Sequence, residues 1–165
     1  MRIVIAAIIA GSSAFGFYPL LAKDSLGVFD QWGAFRDPSS SRCYAIAKAA
    51  PSSLRRDYNP YVTIGTWPKK NLRTQVHFRL SRKIAPDKPV SLIISGEKFP
   101  LVGGGGDAWA ANVQMDAAIT ASMRSASSMT IGATGRDGKR FSNTYNLSGA
   151  ATAMDAATVG CARIR

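Results

Sequence analysis

Past residue 22 the chain alternates between apolar and polar positions. In Thr74-Gln75-Val76-His77-Phe78-Arg79-Leu80, Val76, Phe78 and Leu80 fall on one side of a pleated strand and Gln75, His77 and Arg79 on the other. Phe141, Tyr145 and Leu147 alternate in the same way with Ser142, Thr144 and Asn146, although Asn143 interrupts the apolar side. Shorter runs over 28–35, 42–47, 61–67, 90–95 and 128–133 predict further strands. Turn chemistry separates them at Asp37-Pro38-Ser39-Ser40, Asn59-Pro60, Ala85-Pro86-Asp87-Lys88-Pro89 and Ser95-Gly96-Glu97. Arg136-Asp137-Gly138-Lys139 has Asp-Gly at its centre and predicts a hairpin.

Two segments leave the period of two. Over 112–124, Met115, Ile119 and Met123 recur every fourth residue and line one helical stripe, with Asn112 placed to cap it. Over 148–158 the chain is rich in alanine and predicts a second short helix. Gly103-Gly104-Gly105-Gly106 lacks the Gly-Lys-Ser/Thr ending of a phosphate-binding loop, so it reads as a flexible connection between the edge at Phe99-Pro100-Leu101-Val102 and the first helix. Seven or so short strands with one or two brief helices predict an all-β, antiparallel β-sandwich, because an α/β sheet needs a helix between successive strands. At 165 residues and 46% hydrophobic composition, residues 23–165 have the apolar content for one domain.

The first 22 residues read differently. One charge, Arg2, precedes the run Ile3-Val4-Ile5-Ala6-Ala7-Ile8-Ile9-Ala10, then come small residues and a second apolar stretch ending at Leu21-Ala22. These are the parts of a secretory signal peptide, and residues 3–22 are also about the 20-residue length of an uncleaved membrane anchor. Either way the sequence predicts an exported protein, periplasmic or held at the cell envelope. In an oxidising compartment Cys43 and Cys161 are expected to pair within the chain, the alternatives being two separate thiols or an intermolecular link through Cys161.

Charge narrows the function classes. The chain carries 21 Lys+Arg against 10 Asp+Glu, a net charge of +11. Most of the excess lies over 42–83, where Arg42, Lys48, Arg55, Arg56, Lys69, Lys70, Arg73, Arg79, Arg82 and Lys83 face the single acid Asp57, with Tyr58, Tyr61 and Trp67 interleaved. Arg55, Arg56, Lys69, Lys70, Arg73, Arg79, Arg82 and Lys83 are the candidate residues for binding an anionic surface. An exported protein meets anionic lipid and acidic polymers, so the envelope, or a protein partner there, is favoured over nucleic acid. The alternative for the segment is a solvated face that keeps the domain soluble.

No catalytic, cofactor or metal site is expected. His77 is the only histidine, and the sequence places neither a nucleophile nor an orienting acid beside it, so it reads as an exposed strand residue. Two cysteines and one histidine cannot supply the usual four zinc ligands, and the acids lack the spacing of a calcium loop.

Phe29-Asp30-Gln31-Trp32 followed by Arg42-Cys43-Tyr44-Ala45-Ile46 resembles the opening of the invasion-associated locus B family of exported bacterial proteins. Asp116-Ala117-Ala118-Ile119 through Met123-Arg124-Ser125-Ala126, then Met129-Thr130-Ile131, and Tyr145-Asn146-Leu147-Ser148-Gly149-Ala150-Ala151-Thr152-Ala153-Met154-Asp155 resemble its closing helix, strand and tail. The resemblance spans about 28–161 and implies an immunoglobulin-like β-sandwich. It departs from the family at Gly33-Ala34-Phe35-Arg36 and at Gly103-Gly104-Gly105-Gly106-Asp107-Ala108-Trp109, where the family commonly has cysteines, so the family's disulfide pairing does not carry over. The reading is thus a non-enzymatic envelope protein acting through a basic surface. Its rivals are a small-ligand carrier or hydrolase with a pocket between helix and sandwich, a nucleic-acid-binding module, and a purely structural module with Trp32 and Trp67 in its core.

Overall fold

The computed structural model describes residues 23–162, so the reading of 1–22 as a signal peptide or anchor lies outside it. Among the described residues there are ten antiparallel strands, two short helices and one 3-10 turn. β1 (Asp24–Phe29), β2 (Trp32–Asp37), β3 (Arg42–Lys48), β4 (Tyr61–Trp67) and β5 (Leu72–Arg79) form a meander, each strand paired with the next. β6 (Val90–Ile94) and β7 (Glu97–Gly104) form a hairpin, and β8 (Asp107–Trp109) turns back from β7 to pair with β5. β9 (Ser128–Thr134) and β10 (Arg140–Asn146) complete the order β1-β2-β3-β4-β5-β8-β7-β6-β9-β10.

β7 joins the two layers. Its residues 97–101 pair with β6 and its residues 102–104 with β8, so one strand belongs to both sheets. The alternation seen in the sequence then fills the space between them. Trp32, Ala45, Val62, Ile64, Val76 and Phe78 enter from the first sheet, and Leu92, Ile94, Phe99, Met129, Ile131 and Tyr145 from the second; all are buried. The Phe78 and Tyr145 rings meet across the layers at 5.8 Å. Asn143, which breaks the apolar side of β10, is also buried: its side chain accepts from the Ser81 amide at 3.0 Å and donates to the Ser81 hydroxyl at 2.9 Å.

α1 (Val113–Met123) packs on β5 with Ile119 and Met123 inward, and the Asn112 carboxamide accepts from the Met115 amide at 2.9 Å, the cap that the sequence predicted. α2 (Ala150–Ala162) lies over β1 to β4 and buries Ala150, Ala153, Met154, Ala157 and Cys161. Cys161 is disulfide-bonded to Cys43 of β3, with Cα atoms 5.6 Å apart.

Three readings change. The run over 28–35 is not one strand but the end of β1, a turn at Asp30-Gln31 with Asp30 at φ 49°, and the start of β2. Val28, Phe29 and Trp32 gave it the look of a continuous apolar stretch. The second helix extends to Ala162 rather than ending near 158. The glycine run is a hairpin rather than a flexible connection: Gly103 and Gly104 of β7 pair with Ala108 and Asp107 of β8, Gly105 turns at φ 61°, and the Gly105 and Gly106 carbonyls accept from the Ile84 and Leu80 amides, each at 2.8 Å. Tyr58 lies where a Cβ on Gly106 would come within 2.8 Å of its ring. The Asp137-Gly138 hairpin between β9 and β10 is as expected, with Gly138 at φ 76°.

Candidate functional site

Each strand of the first sheet points half its side chains away from the core, and the two helices leave that outward side uncovered. Registers build it in rows. Gly33, Ile46, Thr63, His77, Trp109 and Val102 stand opposite one another on successive strands. Lys48, Tyr61, Arg79 and Asp107 form the next row, and Phe35, Tyr44 and Gly65 a third.

Rings and cations interlock across these rows. Phe35 stacks on Tyr44 with centroids 5.7 Å apart. The Arg42 guanidinium lies 4.3 Å from the centre of Tyr44 and 5.5 Å from that of Trp67. Further along, His77 sits between Tyr61 (6.1 Å) and Trp109 (5.1 Å). His77 Nε2 lies 3.0 Å from Asp107 Oδ1, and Arg79 Nη1 donates to Asp107 Oδ2 at 2.6 Å. Arg79 also lies over the Tyr58 ring at 3.9 Å. Cations held against aromatic faces keep a fixed direction, which lowers the ordering cost when they meet an anion.

Recesses line the same side. One of about 710 Å³ is walled by Val28, Gly33, Phe35, Ile46, Lys48 and Pro51. A smaller one of about 270 Å³, sharing Ile46 and Lys48, adds Arg56, Asn59 and Tyr61. Val28, Val102 and Trp109 are exposed despite their apolar surface. The outward side of the second sheet is different in kind: Ser91, Thr130, Ser142 and Thr144 occupy it together with Ile93 and Lys98, with the two threonine hydroxyls 3.0 Å apart and no aromatic ring in the rows.

The eight cations singled out from the sequence do not form one patch. Arg79 is on the outward face, with Arg55 and Arg56 in the loop beside it. Arg55 pairs loosely with Asp57 at 3.6 Å, and Arg56 donates to the Ala50 carbonyl at 2.7 Å. Lys69 and Lys70 belong to a 3-10 turn, Pro68–Lys70, between β4 and β5. Arg73, at the start of β5, lines a separate groove of about 560 Å³ with Arg124, Asp155 and Thr158. There the Arg124 guanidinium, 2.6 Å away, holds the Asp155 carboxyl below its ordinary range. Arg82 and Lys83 follow the other end of β5, roughly 25 Å away at the rise of an extended strand, and Arg82 pairs with Asp137 at 2.6 Å. Lys48, Lys69, Lys70 and Arg73 have no ion pair among the described residues.

Asp107 and Trp109 were not picked out from the sequence. They come from a three-residue strand about 30 positions away from His77 and Arg79, and only the pairing of β8 with β5 brings the four together. Trp32 is fully buried, its indole N–H donating to the Asn146 carbonyl at 2.9 Å, whereas Trp67 is half-exposed beside Arg42. His77 is half-buried, not fully exposed, and has an acid beside it, but no hydroxyl is hydrogen-bonded to its ring among the described residues. Among the described residues no three His, Cys, Asp or Glu side chains gather as a metal site, and no helix is long and apolar enough to cross a membrane.

What the outward face can do is bind: it offers ring faces, fixed donors and a carboxylate acceptor on one side of a sheet. No family model, curated protein or solved structure gives a significant match to the chain.

Proposed function

We propose that the protein is a non-enzymatic binding module of the bacterial cell envelope, contacting anionic envelope components through the outward face of its first sheet. The observation that carries this reading is the set of cations seated on aromatic rings there, Arg42 on Tyr44 and Arg79 on Tyr58, with exposed Lys48 in the same row as Arg79. The apolar leader and the resemblance to the invasion-associated locus B family support an exported setting, as does the Cys43–Cys161 disulfide. Exported proteins meet phospholipid headgroups and acidic polymers, and a net charge of +11 draws the chain to either.

The test is retention on phosphatidylglycerol vesicles and on an immobilised acidic polysaccharide, between about 0.05 and 0.5 M salt. Retention on at least one is expected, falling as salt rises. It is expected to weaken more in Lys48→Glu/Arg56→Glu than in Lys69→Glu/Lys70→Glu, because only the first pair lines the recess that opens on Tyr61. Retention on neither, or retention indifferent to salt, would remove the proposed mechanism.

A further inference from the structure

The anionic partner narrows to one chemistry when the outward face is compared with what each kind of partner requires; this step rests on the binding role proposed above. A charged membrane surface requires cations and an apolar side chain that can be pushed among the headgroups. Here Ile46, Trp109 and Val102 lie in a sheet row and not on an amphipathic helix, and on the neighbouring loop Leu54 is the one large apolar side chain exposed among the described residues. A sugar ring requires something else: a flat aromatic surface for its C–H face, with planar groups beside it that both donate to and accept from its hydroxyls.

The structure assigns such a site to Trp109, His77, Asp107 and Arg79. We propose that it takes a ring of an acidic polysaccharide lying across the strands, with Lys48 and Arg56 meeting the carboxylates or phosphates further along the same chain. The His77 ring covers one side of Trp109 from 5.1 Å, and the 36% of Trp109 that stays exposed is the surface a sugar face can cover. Asp107 is an acceptor fixed by Arg79 at 2.6 Å and by His77 at 3.0 Å, and Arg79 is in turn braced on Tyr58. The polar groups are therefore oriented before a ligand arrives.

Placement along the row supports a polymer over a single headgroup. Lys48, Tyr61 and Arg79 are opposite one another on three neighbouring strands. At about 4.8 Å per strand, Lys48 and Arg79 leave the sheet roughly 10 Å apart. Lys48 and Arg56 border a recess that opens on Tyr61, so positive charge continues in line with the ring surfaces. The Ser- and Thr-bearing face of the second sheet has hydroxyls but no ring, so it lacks the stacking half of such a site.

The test uses the folded chain with polygalacturonate as the acidic polysaccharide, dextran as a neutral polymer and phosphatidylglycerol vesicles as the lipid surface, read by calorimetry. Polygalacturonate is expected to bind at least about tenfold more tightly than dextran. Trp109→Ala is expected to weaken that binding by about tenfold or more, while Trp109→Phe, which keeps a ring, retains most of it. Circular dichroism checks that both variants are folded. If Trp109→Ala binds polygalacturonate as the unaltered chain does, the site is wrong. If vesicles bind and polygalacturonate does not, the glycan assignment falls while the envelope reading stands; if neither binds, both fall.

Discussion

Asp116 is a buried carboxylate with a single amide partner. It sits on α1 with 5% of its surface exposed, and its Oδ1 accepts from the Val76 amide at 2.7 Å. Val76 precedes the part of β5 that pairs with β8, so Asp116 satisfies an amide the sheet leaves over. Burial raises its pKa, and the Val76 hydrogen bond only partly opposes this. A carboxyl whose folded value is raised favours the folded state most when protonated, and that contribution is lost as pH rises through the raised value. Asp116→Asn keeps an acceptor without the charge. Urea unfolding from acid to neutral pH is therefore expected to shift in favour of the variant as pH rises; parallel curves would show that the carboxylate is not strained by burial. Asn143 teaches the same lesson about legibility. In sequence it is a flaw in an apolar alternation, because its partner Ser81 is 62 positions away and no local pattern reveals it.

At the scale of elements, what could be read was what is decided locally. The Asn112 cap, the every-fourth stripe of α1 and the Asp137-Gly138 hairpin each depend on residues a few positions apart, and each is present. The β1–β2 turn and the β7–β8 hairpin were missed because their strands are short and their turns lie inside runs that look uniform, one apolar and one glycine. The junction before α2 shows how tightly such elements meet. Gly149 has φ 84° and its position would put a Cβ 2.0 Å from the Phe29 carbonyl oxygen, while Ser148 donates to Asp30 at 2.8 Å. Both the dihedral and the backbone contact exclude a side chain. Gly149→Ala is expected to lower stability by more than about 2 kcal/mol in thermal or urea unfolding, since α2 or the β1–β2 turn must move to admit it. A variant within about 0.5 kcal/mol of the unaltered chain would mean that this junction yields freely.

Across the whole molecule, the disulfide and the outward face are two consequences of one strand. β3 sends Cys43, Ala45 and Ala47 inward towards α2, and Tyr44, Ile46 and Lys48 outward. The basic excess was visible in the sequence, but its division was not, because a strand sends neighbours to opposite sides and ion pairs with Asp107 and Asp137 engage Arg79 and Arg82. Closing a loop of 118 residues stabilises by up to about 4 to 5 kcal/mol in the chain-entropy description. Both sulfurs are buried, so a Cys43→Ala/Cys161→Ala variant tests the link more directly than added reductant. Its stability is expected to fall by about 2 to 5 kcal/mol in urea unfolding, and a variant as stable as the disulfide-bonded chain would remove the link's role. Because the outward side chains of β3 do not touch the disulfide's side of the strand, binding by the still-folded variant is expected to match that of the unaltered chain well below its unfolding midpoint. Binding that fails while the fold is intact would mean that α2, and not the sheet alone, shapes the face.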